Sequence, residues 1–454
     1  MTEDPKKESK SIGRNIFAEA KSGAPKDRAE SAKKENYPPK TDYDKPKSIG
    51  RNIFSETPGK ISPTPVDTGT EELKIIEKSS GDFTSKERKE PGAANTVNAL
   101  YISNENVVLA QTSYDGYKYK LTGLQIAPVE LPSITEDNLL NKEKEDKDSL
   151  IRRLQIEAVD KVFTRAKVSK TDPHIVSSLN GPKIILKQIF VQNTPPENIE
   201  AELPSLVKSP FNQALSRYEH VVLNSDGMNH NVLVCIADST LFFGTQGILA
   251  SSGVECKILD IDKMAVVNLF NESVKPPEGS VSCIIDINYD HSHILIVPNG
   301  SEELYVRNID FNFNTFRKTL QKNRDITLAE TDDMIKNRNF YDYLTSTFEA
   351  ETTENLNQHF SVKKYIRMQF LRELQKTFQY YSQQNLNKIP SKIYITGKAI
   401  GMNKFAQFVN KNTDIPCEIL DITGFFSGDV SVLDYAKGYE SEIYIALGLA
   451  LRYE

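Results

Sequence analysis

Long apolar runs, closely spaced cysteines and a surplus of positive charge are all missing from this chain, and each absence closes off a class of function. No stretch approaches the ~20 consecutive apolar residues that span a bilayer. The first ten residues, MTEDPKKESK, lack the apolar segment of a signal peptide. Only four cysteines occur in 454 residues, Cys235, Cys256, Cys283 and Cys417. They lie far apart in strand-like runs without metal-ligand spacing, so they read as reduced core thiols rather than a disulfide framework. The formal net charge of −6 argues against a dedicated nucleic-acid binder. No Ser/His/Asp or Cys/His constellation for nucleophilic catalysis stands out. A soluble cytoplasmic protein is expected, able to dock on a membrane complex through partners.

What is present divides at residue 94. Residues 1–94 are rich in Lys, Glu, Ser, Pro and Thr and nearly free of apolar periodicity. Such a segment cannot bury enough surface to offset its ordering entropy, and it reads as a disordered tail. Within it Lys10–Phe17, KSIGRNIF, recurs letter for letter as Lys47–Phe54. The two copies read as a docking peptide, with Ile12, Ile16 and Phe17, and again Ile49, Ile53 and Phe54, as anchors. Arg14 and Arg51 orient them. Two copies on one tether raise apparent affinity through effective concentration. A duplication with no partner is the competing reading.

From Asn95 onward the pattern is that of a folded α/β chain, long enough for two or three domains. Ala99–Leu109 and Tyr117–Ile126 read as strands around turns at Asn104–Asn106 and Tyr114–Gly116. Residues 135–162 carry helical spacing, with a charged start. A strand at Asn231–Ala237, a helix near Leu241–Ser252 and a strand at Cys256–Asp260 follow. Asp260 and Asp262 read as ending that strand and capping a helix over Asp262–Phe270. Val281–Val297, VSCIIDINYDHSHILIV, holds two apolar runs around a polar turn and reads as a buried hairpin ending its first strand on Asp286. His291 and His293 share a face of it with no third ligand in view, and read as solvent-facing turn residues. Beyond it, Lys363–Gln384 is the longest helical pattern, with Tyr380 and Tyr381 as packing residues. Strands at Lys392–Thr396 and Cys417–Asp421 and a closing helix at Glu440–Arg452 complete the chain.

Three of these stretches together resemble PilM-type proteins of type IV pilus machines, relatives of the division protein FtsA. They are Val254–Phe270 (VECKILDIDKMAVVNLF), the hairpin with Asp286, and IYITGKAIGMNKFAQFVNKNTDIPCEILD followed by EIYIALGLALR. The resemblance covers roughly residues 95–454. It implies a two-lobed actin-like fold: a first lobe over 95–278 with a small subdomain inserted at about 196–255, a second lobe over 279–433, and a closing helix at 434–454 returning to the first lobe.

That fold holds ATP and a cation between its lobes. One β-turn in each lobe supplies backbone N–H groups and a carboxylate, and a glycine turn lets the nucleoside approach the backbone. Here the pattern is worn. Aligned without gaps on Val107-Val108-Leu109, the first turn's Asp falls on Tyr101, its Gly on Ser103 and its Lys on Val108. The second turn keeps Asp286 but has Asn288 for its glycine. The third keeps Gly397 and Gly401 but carries Lys398-Ala399 between them. Lys398 reads either as a phosphate-facing cation or as an exposed loop lysine. Asp286, Asn288, Ser103, Gly397 and Gly401 are the candidate remnants of a nucleotide cleft, with no catalytic residue, no resident metal and no cofactor expected, and ATP with magnesium left as the open possibility.

The resemblance implies a scaffold on the inner-membrane platform of a type IV pilus or a type II secretion-like machine. Its groove, formed by the inserted subdomain and the adjoining sheet, would accept the N-terminal cytoplasmic peptide of a PilN-like membrane protein. A working actin-like ATPase is the alternative. An FtsA-like filament former ranks last, because no amphipathic anchor is expected after the closing helix.

Overall fold

The computed structural model describes residues 95–129, 147–211, 215–300, 303–345, 361–428, 430–435 and 437–452. Both KSIGRNIF copies lie outside these residues, as do the charged start of the 135–162 helix and residues 346–360.

Strands β1 (Asn95–Ile102), β2 (Asn106–Tyr114) and β3 (Tyr119–Pro128) form an antiparallel meander. Helix α1 (Lys147–Ala166) packs on β2 and β3, burying Ala158, Val159, Val162 and Phe163. β4 (Ile175–Leu179) then pairs parallel with β1. The chain next leaves this sheet for a small unit. β5 (Ile184–Val191), α2 (Ile199–Leu206), β6 (Ser216–Ser225), β7 (His230–Asp238) and α3 (Ser239–Ser251) build it around a sheet of order β5-β7-β6. Its first strand lies ahead of residue 196, because the Pro195-Pro196 break separates two elements of the unit rather than opening it. β6 has no counterpart in the strands expected from the sequence. Its alternation is blurred, since this partner of β7 alone is half-exposed along most of its length.

β8 (Ile258–Ile261) rejoins the first sheet parallel to β4, and helix α4 (Asp262–Val274) follows at once. A second sheet begins with β9 (Val281–Ile287), β10 (Ser292–Pro298) and β11 (Tyr305–Ile309), again an antiparallel meander. Helices α5 (Phe313–Arg324) and α6 (Leu328–Asn337) come next, the latter opened by a capping box from Thr327 and Glu330. The helical run expected at 363–384 starts at Val362, passes through a π-helical turn over Ile366–Leu371 and continues as α7 (Arg372–Gln384). β12 (Lys392–Gly397) pairs parallel with β9, and after α8 (Phe405–Thr413) β13 (Cys417–Ile419) pairs parallel with β12. β14 (Ser427–Gly428) crosses back to pair with β3, and α9 (Glu440–Leu449) closes the chain.

The two large sheets repeat one plan. In each, a three-stranded meander continues through two parallel strands beside its first strand, giving orders β3-β2-β1-β4-β8 and β11-β10-β9-β12-β13. The β9–β10 hairpin reads as unbroken apolar sequence because both its faces are covered. Ile284 and Leu295 enter the first lobe's core, whereas Cys283, Ile285, Ile287, Ile294 and Ile296 enter the second's. Each such Ile or Leu side chain taken from water contributes roughly 1.5–3 kcal/mol.

Helices α4 and α9 cross at the junction. Residues Asp262–Phe270 of α4 are all buried, and Phe270 packs on Tyr394 of β12 at 5.0 Å between centroids. Gly448 of α9 lies against the backbone of Ala265, where a Cβ would collide. Beyond α9, Arg452 Nε donates to Asp260 Oδ2 at 2.8 Å, a buried pair that ties this end of the chain to β8. All four cysteines are free thiols.

Candidate functional site

The repeated sheet plan brings three turns together: Ser103–Glu105 between β1 and β2, Asn288–His291 between β9 and β10, and Lys398–Gly401 after β12. The first two meet at their tips, where Asn104 Nδ2 donates to Asp290 Oδ2 at 3.0 Å.

At the first turn two backbone amides are taken by the turn's own side chain. Ser103 Oγ accepts from the N–H of Glu105 at 3.2 Å and of Asn106 at 3.0 Å, and donates to Asn106 O. Gln155 of α1 donates to Ser103 O at 3.0 Å, fixing the turn from behind. Tyr101, at the end of β1, is buried; burial pushes its phenol well above the usual range, helped by the carboxylates Asp262, Glu442, Asp286 and Asp290.

In the second turn Asp286 is fully enclosed. Its Oδ2 accepts from Asn288 Nδ2 at 2.7 Å and its Oδ1 from Thr396 Oγ1 at 2.9 Å. Burial pushes its carboxyl up to about 6 against the pull of those two donors. Asn288 reaches across as well, accepting from the Ser441 hydroxyl of α9. Its amide thus links Asp286 to α9, in the space that a glycine would leave open.

The third turn begins on Gly397, whose φ of +74° is one that L side chains rarely adopt, with a would-be Cβ aimed at the Ile287 carbonyl. Gly401 stands exposed with open space around it. Lys398 is not the exposed loop residue that the sequence alone allowed. Its Nζ lies 3.0 Å from Glu442 Oε1, 3.2 Å from Gly438 O and 3.4 Å from Glu105 Oε2. Burial would lower this ammonium, but Glu442 and Glu105 outweigh it and hold it above its ordinary value. For Glu105 burial wins over Lys398, and its carboxyl rises to about 7. Asn106 Nδ2 also donates to Glu442 Oε1 at 2.9 Å. One lysine thus joins the first turn, the third turn and α9.

The structure corrects the expectation for the histidines and for Asp262. His293 is buried on central strand β10, and the third ligand-type group is Asp262, which opens α4 rather than capping it. Asp262 Oδ2 lies 3.0 Å from His291 Nε2 and 3.5 Å from His293 Nε2, while Lys263 Nζ faces Oδ1 at 3.3 Å. Burial would raise the Asp262 carboxyl, but Lys263, with the His291 hydrogen bond, holds it well below its usual range. Burial, with Lys263 beside it, pushes His293 down to about 3. Sequence spacing could not reveal this group, because Asp262 lies 29 residues from His291 and arrives by a different sheet. Asp260 likewise ends nothing: it sits inside β8 and faces Arg452.

A cavity of about 150 Å³ lies between the π-helical turn, α7 and α8, lined by Arg367, Leu371, Phe378 and Thr413, and none of its lining residues belongs to the three turns.

Residues 100–454 match the family model described as type IV pilus assembly protein PilM. The chain belongs to that family. A solved PilM-PilN type IV pilus biogenesis complex is similar at a TM-score of 0.59 and 17% identity, over 78% of this chain and 98% of that one. A Bacteroides thetaiotaomicron protein with an actin-like ATPase fold and unknown function reaches 0.35 at 8% identity, over 71% and 89% of the two chains. The cytoplasmic domain of EpsL, an inner-membrane component of the Vibrio cholerae type II secretion system, reaches 0.30 at 11%, over 48% and 71%. No curated protein sequence matches. The two-lobed actin-like α/β fold expected for a PilM-type chain is the fold observed, with β1–β4 and β8 framing one lobe and β9–β13 the other. Among the described residues no helix is long and apolar enough to cross a membrane.

Proposed function

We propose that this PilM-family chain is a scaffold of a pilus or type II secretion-like assembly platform, and that it works without hydrolysing ATP. The observation carrying this reading is the commitment of Lys398. Read from the sequence, Lys398 is open to facing a phosphate, whereas here it is bound to Glu105 and Glu442. Ser103 has taken the N–H groups of Glu105 and Asn106, Asn288 fills the second turn, and Tyr101 stands where the actin-like pattern wants an acid. These residues fit a triphosphate with its cation poorly: the Glu105 and Asn106 amides and the Lys398 ammonium are already engaged, and Asn288 takes the space of a glycine. Asp286 and Gly397 are the two features that favour the ATPase alternative, and Asp286 already has two donors of its own.

In this reading the partner is the N-terminal cytoplasmic peptide of a PilN-like membrane protein. The similarity to a solved complex of PilM with PilN supports that choice. The peptide would lie in a groove between the small β5-β7-β6 unit and the first lobe's sheet, and hold the chain at the inner membrane. The duplicated KSIGRNIF would engage a second platform component or a neighbouring copy. Titrating the chain, with and without residues 1–94, with a synthetic PilN-type N-terminal peptide tests the division of labour. Equal affinity for both forms is expected, and platform complexes lacking a component only when the tail is removed. No peptide binding by either form overturns the partner assignment.

A further inference from the structure

The scaffold reading leaves Asp262, His291 and His293 without a role, and their arrangement is specific. One donor atom from each lies within 4.8 Å of the other two. Asp262 and His293 side chains are wholly buried and that of His291 is 10% exposed.

The hydrogen bonds around His293 fix its tautomer. Asn308 on β11 donates its Nδ2 to the carbonyls of Pro182 at 2.8 Å and Ile184 at 3.3 Å, so its Oδ1 is the acceptor. That oxygen faces His293 Nδ1 at 3.0 Å, and Nδ1 therefore carries the proton. In the neutral ring, Nε2 is then a bare lone pair. It is buried, makes no hydrogen bond, and points at Asp262 Oδ2 from 3.5 Å. Two acceptors turned toward each other away from water are unfavourable unless a positive centre lies between them. A proton on His293 Nε2 would relieve that contact; a metal ion relieves it and takes His291 as a third ligand.

We propose that Asp262, His291 and His293 form a binding site for a borderline first-row divalent ion of the Zn²⁺ class. Zinc held at about 2.0–2.1 Å by tetrahedrally placed ligands sets their atoms about 3.3 Å apart. The observed 3.0 and 3.5 Å separations from Asp262 Oδ2 bracket that value. Two imidazoles with one carboxylate suit zinc and its neighbours, and not magnesium, which takes oxygen ligands. The outer contacts are those such a site uses. Asn308 orients His293, the Lys263 backbone N–H and ammonium hold Asp262 Oδ1, and Gly181 N donates to Oδ2 at 3.1 Å. Lys263 is the adverse charge, and its ammonium is drawn aside in part by donating to Gly181 O at 3.0 Å. An ion here joins the second lobe's hairpin to the start of α4, so it clasps the lobes where the family pattern would have had a nucleotide do so.

The test uses the full chain stripped of metal and titrated with Zn²⁺ alone, without nucleotide. One ion per chain is expected by calorimetry and by elemental analysis after desalting, with the melting temperature rising as Zn²⁺ is added. Mg²⁺ should not compete. His291→Asn and His293→Gln should each weaken uptake more than ~100-fold, beyond the ~10–100-fold typical of outer contacts. If His293→Gln fails to fold, the partly exposed His291→Asn and the visible spectrum of Co²⁺ in the wild type decide instead. Absence of stoichiometric uptake, or uptake that survives His291→Asn unchanged, overturns the proposal.

Discussion

Asn104 and Asp290 touch across the cleft, the amide of one turn donating to the carboxylate of the other at 3.0 Å. The residues belong to equivalent turns of two sheets with the same strand order, so the contact closes the mouth that separates the lobes. Both are solvent-exposed, and the bond alone is worth little. A double-mutant cycle with Asn104→Ala and Asp290→Ala should give a coupling of about 1 kcal/mol in urea unfolding. A coupling near zero would mean that the turns do not meet in solution.

Lys398 carries far more. Removing it leaves Glu442 buried and Glu105 half-buried with their counter-charge gone. Lys398→Met should cost about 3–5 kcal/mol of stability, the range for breaking a buried ion pair from one side. Adding Glu442→Gln to that variant should recover part of the loss. A lysine serving only as a loop residue would show neither effect.

Asp286 gives the stability a pH dependence of known sign. Its folded-state pKa of about 6 lies above the ordinary 3.8, so the folded protein holds that proton more tightly. The resulting stabilisation is fully present below the unfolded value and is lost as pH rises through about 6. Asp286→Asn lacks this titration. Its stability relative to wild type should therefore improve by on the order of 3 kcal/mol from about pH 3 to about pH 7. His293, lowered to about 3, acts in the opposite sense, its contribution present above the ordinary 6.5 and lost as pH falls; it does so in both proteins and cancels in the difference.

Two glycines hold the junction by lacking a Cβ, and a third does not. Gly397→Ala would drive a methyl into the Ile287 carbonyl at a positive φ, and Gly448→Ala would drive one into the Ala265 backbone. Each should cost about 3 kcal/mol or more in thermal or urea unfolding. Gly401→Ala meets open space and should stay within about 0.5 kcal/mol of wild type.

The framework was legible in the sequence because its strands are short apolar runs punctuated by polar turns. The hairpin at Val281–Val297, the α4 stretch and the closing helix all lie where the pattern puts them. β6 was hidden because SRYEHVVLNS mixes polar and apolar residues on both faces of a half-exposed strand. Partnerships were hidden for a different reason. Glu105, Lys398 and Glu442 come from three separated segments, and Asp262 meets His291 and His293 only through the sheet topology. Nothing in local spacing records a contact of that kind. The three turns could be located in the sequence; that Lys398, Glu105 and Glu442 join two of them to α9 could not.

Whether the cleft takes a triphosphate decides between scaffold and ATPase most directly. Calorimetric titration of the full chain with ATP and Mg²⁺ measures this. No saturable heat is predicted up to about 1 mM nucleotide, a limit corresponding to about −4 kcal/mol of binding. A magnesium-dependent Kd in the micromolar range, abolished by Asp286→Ala, would contradict the scaffold reading and return the chain to the ATPases.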